Sequence, residues 1–224
     1  MKLLKKGNVR IDNTKNAVLS HKYQFKKDVD FVVYAFITLL FFLLFSLNSY
    51  SQNLKGEGLK SAIVQYEMEA EGNTIPMTQY SDDYGNLLCM KMYIMGVEIA
   101  TITTSDSVFI INFPQKNGIK YARPDSDVNY NALTPEIIKK YDIKADGTVE
   151  FLGKKCTVYT GRFENEGEKI ETVTWVYKGV VLKSVSTTED DKSVVLVAAS
   201  IEENAEVSPD TFVIPADFEV KEMK

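Results

Sequence analysis

Polar and apolar residues alternate along the segment that follows residue 60. Ala62, Val64, Tyr66, Met68 and Ala70 occupy every second position, and the residues between them are polar with one exception. Successive side chains of a strand point to opposite faces, so a period of two indicates one buried face and one wet face. The pattern predicts a strand that uses only one face to form the core.

Further strands of the same kind follow this segment along the chain. Short turns rich in Gly, Asn, Asp and Ser separate them, which is typical of antiparallel hairpins. The pattern predicts these further strands: Thr74–Tyr80, Leu87–Met95, Val97–Thr104, Val108–Phe113, Ile119–Ala122, Thr148–Leu152, Lys155–Phe163, Lys169–Tyr177, Val181–Thr188 and Ser193–Glu202. Near the end of the chain, Pro209 and Pro215 bracket a short apolar piece, Phe212–Ile214, and Asp217–Val220 follows it.

One segment departs from the strand pattern. Thr134 is a good N-cap residue, Pro135 suits the first helical position, and Glu136 places a negative charge in the first turn. These signals predict a helix over about 135–141. Its apolar residues, expected to share one face, are Ile137, Ile138 and Tyr141.

The order of these elements predicts the architecture. Ten or eleven strands and one short helix make a sheet too large to lie flat with its edges exposed. One short helix covers only part of such a sheet, so curling is the economical solution. We therefore predict a mainly β fold: a strongly curved antiparallel sheet, an incomplete or half barrel, with the helix as a partial lid.

A long apolar run near the start of the chain affects where the protein works. Phe31–Leu47 comprises 17 mostly apolar residues, which is longer than a usual signal-peptide core and close to the minimum for a membrane span. Eight Lys and Arg residues precede it against three Asp residues. That imbalance predicts a cytoplasmic start followed by export of the rest.

The residues after this run suggest a cleavage site. Small residues at Ser49 and Ser51, the −3 and −1 positions, suit a signal peptidase that cuts immediately before Gln52. We therefore predict a signal peptide over residues 1–52 and a single exported domain over 53–224, located in the periplasm or associated with the outer membrane. The alternative is that residues 31–52 remain as an inner-membrane anchor, which would be the only contact with a membrane.

Composition excludes several functions for the exported part. It carries 18 Lys and Arg against 28 Asp and Glu, a net charge of −10, which argues against nucleic acid as a partner. The only histidine is His21, upstream of the apolar run. Without histidine, Ser-His-Asp triads, Cys-His pairs and imidazole zinc sites are excluded. We predict no catalytic residues, no metal and no cofactor.

The two cysteines leave two interpretations open. Cys89 and Cys156 lie in predicted strands of a chain that is expected to reach an oxidising compartment, where an even pair can form a disulfide. Free Cys is also among the most buried residue types. A bridge and two buried thiols are therefore both consistent with the sequence.

Two acidic segments resemble sites without matching them well. Asp125, Asp127, Asn129 and Glu136 stand at calcium-loop positions 1, 3, 5 and 12, but Tyr130 stands where the loop requires Gly. Asp82 and Asp83 are adjacent residues in a predicted turn, where side chains usually point apart into water. We interpret both segments as turn chemistry.

Apolar residues suggest what the sheet could hold. Met77, Met90, Met92 and Met95 cluster in the early strands, and methionine suits adaptable apolar surfaces as well as ordinary cores. A second apolar stripe follows one strand face, and it is either core or the wall of a cavity. Its residues are Val173, Trp175 and Tyr177.

Four short motifs in this order resemble a family of exported bacterial proteins. They are MTQYSDDYG at 77–85, FLGKKC at 151–156, WVYKGVVLK at 175–183 and FVIPADF at 212–218. That family is similar to the LolA-like outer-membrane lipoprotein carriers. The likeness spans most of residues 58–221.

The resemblance implies an unclosed barrel whose concave face holds acyl chains beneath a helical lid. On that basis the ligand-lining candidates, of which only alternate ones can face inward, are Tyr80, Trp175, Tyr177, Leu182 and Phe212. The chain departs from the carriers at its start, where Leu54–Lys60 is too short and too rich in glycine for their first helix. A shared fold does not by itself transfer the carrier function.

Two functional hypotheses follow. The first is a non-catalytic periplasmic or envelope protein that binds a lipid or an acylated protein. The alternative is a structural or partner-binding envelope protein with a filled core and no small ligand. An apolar cavity of several hundred Å³ on the concave face would favour the first hypothesis, in line with the usual size of ligand sites.

Overall fold

The computed structural model describes residues 58–223, except for 71, 95, 124–127, 129, 131, 132, 166 and 167. The predicted signal peptide, the apolar run and Met95 lie outside the described residues, as do most of the acids of the calcium-like pattern. The strands are β1 (Ala62–Ala70), β2 (Asn73–Asp82), β3 (Leu87–Ile94), β4 (Val97–Thr103), β5 (Ser107–Asn112), β6 (Asn117–Ala122), β7 (Lys144–Phe151), β8 (Lys154–Asn165), β9 (Glu168–Tyr177), β10 (Val180–Thr188), β11 (Ser193–Glu203) and β12 (Glu219–Glu222). The α-helix among these residues is α1 (Pro135–Lys140).

All twelve strands belong to one sheet. Their order is β12-β6-β5-β4-β3-β2-β1-β11-β10-β9-β8-β7. Neighbouring strands are antiparallel except β12, which pairs in parallel with β6. Within the described residues β7 and β12 each have one neighbour, so the curved sheet is not closed into a barrel. The predicted fold class, a mainly β half barrel with one short helix, is confirmed.

The sheet bends toward the face that carries the buried side chains of β1, which we call the concave face. Ala62, Val64, Tyr66 and Met68 are each 2% exposed or less on this face. The Tyr66 hydroxyl donates a 2.6 Å hydrogen bond to the carbonyl oxygen of Val181 on β10, passing over β11. A side chain can reach the backbone two strands away because the sheet curls around it.

Strand β7 begins earlier than the sequence predicts. The pattern predicts a turn at Asp146-Gly147 and a strand from Thr148, but the strand already starts at Lys144. Its register with β8 shifts between Ala145 and Thr148, and Gly147 has a φ of 103°. The glycine therefore serves a bulge within an edge strand, where its lack of a Cβ relieves the strain of a positive φ.

Helix α1 forms for the predicted reasons. Thr134 is extended, and its Oγ1 accepts a 3.3 Å hydrogen bond from the Ile137 amide. Val128, in the connection from β6, packs with Ile143 and with residues of β8 and β9 as one cluster. The partly buried residues of the cluster are Tyr130, Leu133, Ile137, Tyr141 and Tyr159.

One predicted lid residue lies elsewhere. Ile138 is 39% exposed and is not part of this cluster, whereas Ile137 and Tyr141 are. The reason is geometric, because adjacent helical residues point about 100° apart and only one of the two isoleucines can face the sheet.

The C-terminal segment covers part of the opposite, convex face. Phe212 packs there against Cys89, Ala100, Ile102 and Ile111 of strands β3 to β5. The rings of Phe113 and Phe218 meet edge to face with centroids 5.5 Å apart. The core thus has a concave part inside the curl and a convex part beneath the chain's end.

Candidate functional site

The concave face of β1, β2 and β3 is lined by methionines. Met68, Met77, Met90 and Met92 lie on this face and are each 3% exposed or less. The strand register places Met77 directly opposite Met92. The sequence predicts a methionine cluster that includes Met77. Met68 also belongs to it, because Tyr66 pairs with Met77 and Met68, two positions further along β1, points to the same face as Tyr66. The result is an apolar wall made of flexible, polarisable side chains.

Two hydroxyl groups interrupt this wall on β4. Thr101 is 1% exposed and lies between Met90 and Ile110 of the neighbouring strands. Thr103 is 0% exposed and lies between Leu88 and Val108. Neither Oγ1 atom has a hydrogen-bond partner. Sequence reasoning missed both residues, because threonine is an ordinary β-strand residue and nothing in its spacing signals an unpaired hydroxyl.

The concave face of β9 and β10 also carries buried hydroxyls, and there Thr172, Thr174 and Ser184 are paired. Thr174 Oγ1 and Ser184 Oγ are 3.3 Å apart on adjacent strands. Thr172 Oγ1 donates to the carbonyl oxygen of Gly161 at 3.5 Å. Tyr130 reaches Thr174 from the connection before α1, and burial raises the pKa of Tyr130 to about 12. Protein atoms therefore satisfy the hydroxyl groups of Thr172, Thr174 and Ser184.

A groove of about 640 Å³ opens at one rim of the concave face. Phe163 and Ile170 form its buried floor, and Tyr141 lies at its side. Phe163 and Ile170 are cross-strand partners on the face that also carries Thr172 and Thr174. The groove therefore leads from solvent to apolar side chains beside α1.

The charged rim of this groove is largely neutralised by ion pairs. Lys169 Nζ lies 3.1 Å from Glu189 Oε1. Arg162 Nε lies 3.0 Å from Glu171 Oε1. A second groove, of about 430 Å³, lies at the turn between β1 and β2. Neither groove is lined by any of the five predicted ligand-lining residues.

The structure does not gather the five predicted lining residues on the concave face. The register puts Tyr80 opposite Cys89, and Trp175 opposite Lys183, on the convex side. Tyr177 has the same parity as Trp175 along β9 and hydrogen-bonds Glu203 at 3.2 Å.

The other two predicted lining residues have different positions. Phe212 packs on the convex face with the C-terminal segment. Leu182 is fully buried and is the extra residue of a bulge between Val181 and Lys183. Leu182 is thus the one candidate of the five that can face inward, which its bulge position allows.

The aromatic stripe on β9 is a surface feature of the convex side. Trp175 is half-buried, and Lys183 Nζ lies 4.8 Å from the centroid of its ring. Lys154 and Lys178 lie over the Tyr177 ring at 5.4 and 5.1 Å. These contacts indicate cation–π pairs on a partly wet face, which argues against a ligand cavity there.

Both cysteines are free and buried. Cys89 lies on β3 and Cys156 on β8, and five strands separate these two in the sheet. Burial raises the pKa of the Cys89 thiol to about 11 and also raises the pKa of Cys156. In this structure the two cysteines are buried thiols that form no bridge with each other.

A hydrogen-bonded carboxylate lies at the end of the sheet opposite the large groove. Glu203 accepts hydrogen bonds from Lys154, Lys178 and Tyr177. The Lys154 hydrogen bond is the main cause that lowers the pKa of Glu203. These hydrogen bonds link Lys154 of β8 and Tyr177 of β9 to Glu203 of β11, so the cluster stabilises the pairing of these strands at this end of the sheet.

The acidic turn behaves as predicted. Asp82 Oδ1 accepts from the Asp83 amide at 2.7 Å, and Asp83 Oδ2 accepts from Asn86 Nδ2 at 3.0 Å. Among the described residues no group of acids, Cys and His could hold a metal ion. In that same part of the chain no helix is long and apolar enough to cross a membrane.

Comparisons with known proteins give a likeness of fold. No protein-family model matches the sequence, and no curated protein matches it. An uncharacterized conserved protein from Thermus thermophilus is 12% identical with a TM-score of 0.54, over 76% of this chain and 94% of its own. MucB in complex with MucA from Pseudomonas aeruginosa is 12% identical with a TM-score of 0.47, over 71% of this chain and 57% of its own.

A putative outer membrane lipoprotein-sorting protein domain from Vibrio parahaemolyticus is also among the similar structures. It is 13% identical with a TM-score of 0.32, over 70% of this chain and 90% of its own. At 12% identity and a TM-score of 0.54, the likeness to the Thermus thermophilus protein is one of fold alone.

Proposed function

We propose that this protein is a non-catalytic binding protein of the bacterial envelope, which holds a lipid or an acylated partner against its concave face. The observation that carries the proposal is the methionine-lined wall formed by Met68, Met77, Met90 and Met92. These side chains adapt to ligands of variable shape, which suits acyl chains that differ in length and branching.

Burial of apolar surface supplies the driving force. Each Å² of apolar surface removed from water contributes about 25 cal/mol before the entropy cost of ordering the ligand. The wall continues across β2, β3 and β4 because the register places Met77 beside Met92, and Met92 beside Ile99. An extended acyl chain can therefore contact several strands at once.

The large groove provides a route for such a chain. Its floor, formed by Phe163 and Ile170, belongs to the concave face, and its side is Tyr141 at the end of α1. We infer that α1 acts as a partial lid here, with Ile137 and Tyr141 facing the sheet. The paired charges at the rim favour a neutral or zwitterionic headgroup over a strongly charged one.

A second candidate function is a partner-binding envelope protein with a filled core. The observation in its favour is the near-complete burial of the concave wall, where Met68 and Met92 are both 0% exposed. Because these side chains are already buried, a ligand can bind to them only by replacing the protein groups that cover them. The two functions therefore differ in whether a small molecule is bound at all.

Native mass spectrometry distinguishes these two functions. The protein is purified from a bacterial envelope fraction without added lipid, and its intact mass is compared before and after organic extraction. We expect an added mass of a lipid or acyl-bearing molecule that extraction removes. An unliganded protein in every charge state, with no lipid in the extract, would count against the binding function and in favour of the filled core.

A pair of variants at adjacent positions provides the control. Met77→Gln changes a concave residue, whereas Thr78→Gln changes its neighbour on the convex face. We expect Met77→Gln to reduce the lipid-bound fraction and Thr78→Gln to leave it unchanged. The same spectra give the mass of the chain and so test whether it begins at Gln52. Fractionation of the periplasm and outer membrane tests where the protein is located.

A further inference from the structure

The strongest unexplained feature of the concave face is the hydroxyl pair of β4. Thr101 and Thr103 lie two positions apart on one strand, so their side chains point to the same face about 7 Å apart. Their cross-strand neighbours are Leu88 and Met90 on one side and Val108 and Ile110 on the other. Two unpaired hydroxyls thus sit side by side among four apolar neighbours, and the polar Gln79 and Ser81 of the same face lie two strands away on β2.

Burial makes an unpaired hydroxyl costly. Thr101 and Thr103 are 1% and 0% exposed, and their Oγ1 atoms have no hydrogen-bond partner. Nearly all buried polar groups in proteins are paired, so each exception asks for a physical explanation. Valine has the same shape as threonine and would fill these positions without that cost, as Val108 does on the next strand.

We propose that Thr101 and Thr103 form a polar subsite that donates hydrogen bonds to the carbonyl oxygen of an acyl ester of glycerol. This inference rests on the proposed binding function and names the chemistry that the concave face recognises. The apolar neighbours hold the chain, and the hydroxyl pair fixes the depth at which its ester group lies.

The surroundings favour an ester over a free acid. All four cross-strand neighbours of the pair are uncharged, so a carboxylate or phosphate placed there would be buried without a cation. Burying an unpaired charge is far more costly than burying a neutral carbonyl that accepts a hydrogen bond. A hydroxyl donor and an ester carbonyl acceptor satisfy each other without any charge.

A matched pair of ligands tests this inference on the full chain. 1-Monolauroylglycerol and 1-O-dodecylglycerol share the same headgroup and chain length, but only the first has a carbonyl oxygen. Binding is measured below the micelle concentration by isothermal titration calorimetry. We expect the wild-type protein to bind the ester about 5- to 10-fold more tightly than the ether, as one recovered hydrogen bond implies.

Variants assign that preference to the hydroxyls. Thr101→Val and Thr103→Val should bring the two affinities within about 2-fold of each other by weakening the ester alone, since only the donor is lost. Thr101→Ser and Thr103→Ser keep the hydroxyl and should retain the preference. Thr78→Val, on the convex face, is the control for a Thr-to-Val change in the same sheet and should behave as wild type.

The outcomes separate this inference from the proposed function. Equal affinity of the wild-type protein for ester and ether, or an ester preference that survives in both valine variants, would overturn the subsite while leaving lipid binding intact. Binding of neither ligand would contradict the proposed function itself and, with it, the subsite. Circular dichroism of each variant confirms that a lost preference is not a loss of fold.

Discussion

Two parts of one concave face use the same residue type in opposite ways. On β9 and β10, Thr174 and Ser184 bond to each other and Thr172 bonds to the backbone of Gly161. On β4, Thr101 and Thr103 are buried to the same degree but have no partner. The helix, the connection before it and Tyr130 pack over the first region.

The difference separates hydroxyls that stabilise the fold from hydroxyls that are available to a ligand. Where hydroxyls are satisfied by protein atoms, they add specificity to packing, and the hydrogen bond between Tyr130 and Thr174 helps to hold the connection before the helix on the sheet. Where they are left unsatisfied in an apolar wall, the protein has a cost that a ligand can relieve. The contrast allows predictions that differ in sign between the two regions.

The largest expected effect comes from the packed region beneath the helix. Phe163 is 7% exposed, and its ring centroid lies 4.6 Å from that of Tyr141. Phe163→Ala should lower the free energy of unfolding by about 3–5 kcal/mol, because it leaves a cavity under the helix. Urea denaturation measures this. Val213→Ala, at a 60% exposed position, is the matched control and should stay within about 0.5 kcal/mol of wild type.

A smaller effect should differ in sign between the two sets of hydroxyls. Thr174→Val removes the partner of a buried Ser184 hydroxyl and should destabilise the protein by about 1–3 kcal/mol. Thr101→Val removes an unpaired hydroxyl and should leave the unliganded protein as stable as wild type or more stable. Thermal unfolding of the two variants under one condition makes the comparison. Equal destabilisation by both would contradict the distinction between the regions.

A further prediction concerns the pH dependence of stability. The carboxyl group of Glu203 changes its charge in the acid range, whereas the hydroxyl groups of the threonines and serines do not. The hydrogen bond from Lys154 holds the pKa of Glu203 below its usual value of 4.5. Ionised Glu203 therefore adds to the free energy of unfolding above pH 4.5. This added stability is lost as the pH falls through the lowered pKa that Glu203 has in the folded state. Glu203→Gln should cost about 0.2–1 kcal/mol at pH 7.

The pH profile provides the control for that prediction. The difference between wild type and Glu203→Gln in free energy of unfolding should shrink as the pH is lowered below 4.5. The difference between wild type and Thr174→Val should stay constant over the same range. If the difference in free energy of unfolding between wild type and Glu203→Gln grew as the pH fell, the assignment of a lowered pKa to Glu203 would be contradicted.

The smallest expected effect concerns the cysteines. Because Cys89 and Cys156 are free, a reductant should leave the thermal midpoint unchanged. Burial raises the pKa of Cys89 to about 11, so a thiol reagent at pH 8 should label it only after unfolding. Quantitative thiol titration with and without denaturant checks this. A midpoint that falls on reduction would indicate a bridge.

The sequence predicted the fold well because the fold depends on local periodicity. Alternation along β1 and the cap-and-proline signal at Thr134-Pro135 are both visible without long-range information, and the structure has a strand and a helix there. The start of β7 was missed because Gly147 in a bulge looks like Gly147 in a turn. Local sequence does not distinguish the two.

The candidate site was harder to predict because the face of a strand depends on its partners. Trp175 and Tyr80 are large and apolar, but pairing with Lys183 and Cys89 places them on the convex side. A one-residue shift of register exchanges the faces, and only the paired strands fix it. Thr101 and Thr103 gave no signal, since an unpaired hydroxyl is a property of the surroundings.

The position of a bound chain provides the most direct test of binding on the concave face. Trp175 is the only tryptophan and lies on the convex face, so it serves as a built-in reference. A second protein carries Val97→Trp together with Trp175→Phe, which moves the tryptophan to a half-buried concave position on β4. The measurement is quenching of each tryptophan by a monoacylglycerol brominated along its chain. We predict strong quenching of the tryptophan at position 97 and little quenching of Trp175, whereas quenching of Trp175 alone, or of neither, would contradict binding on the concave face.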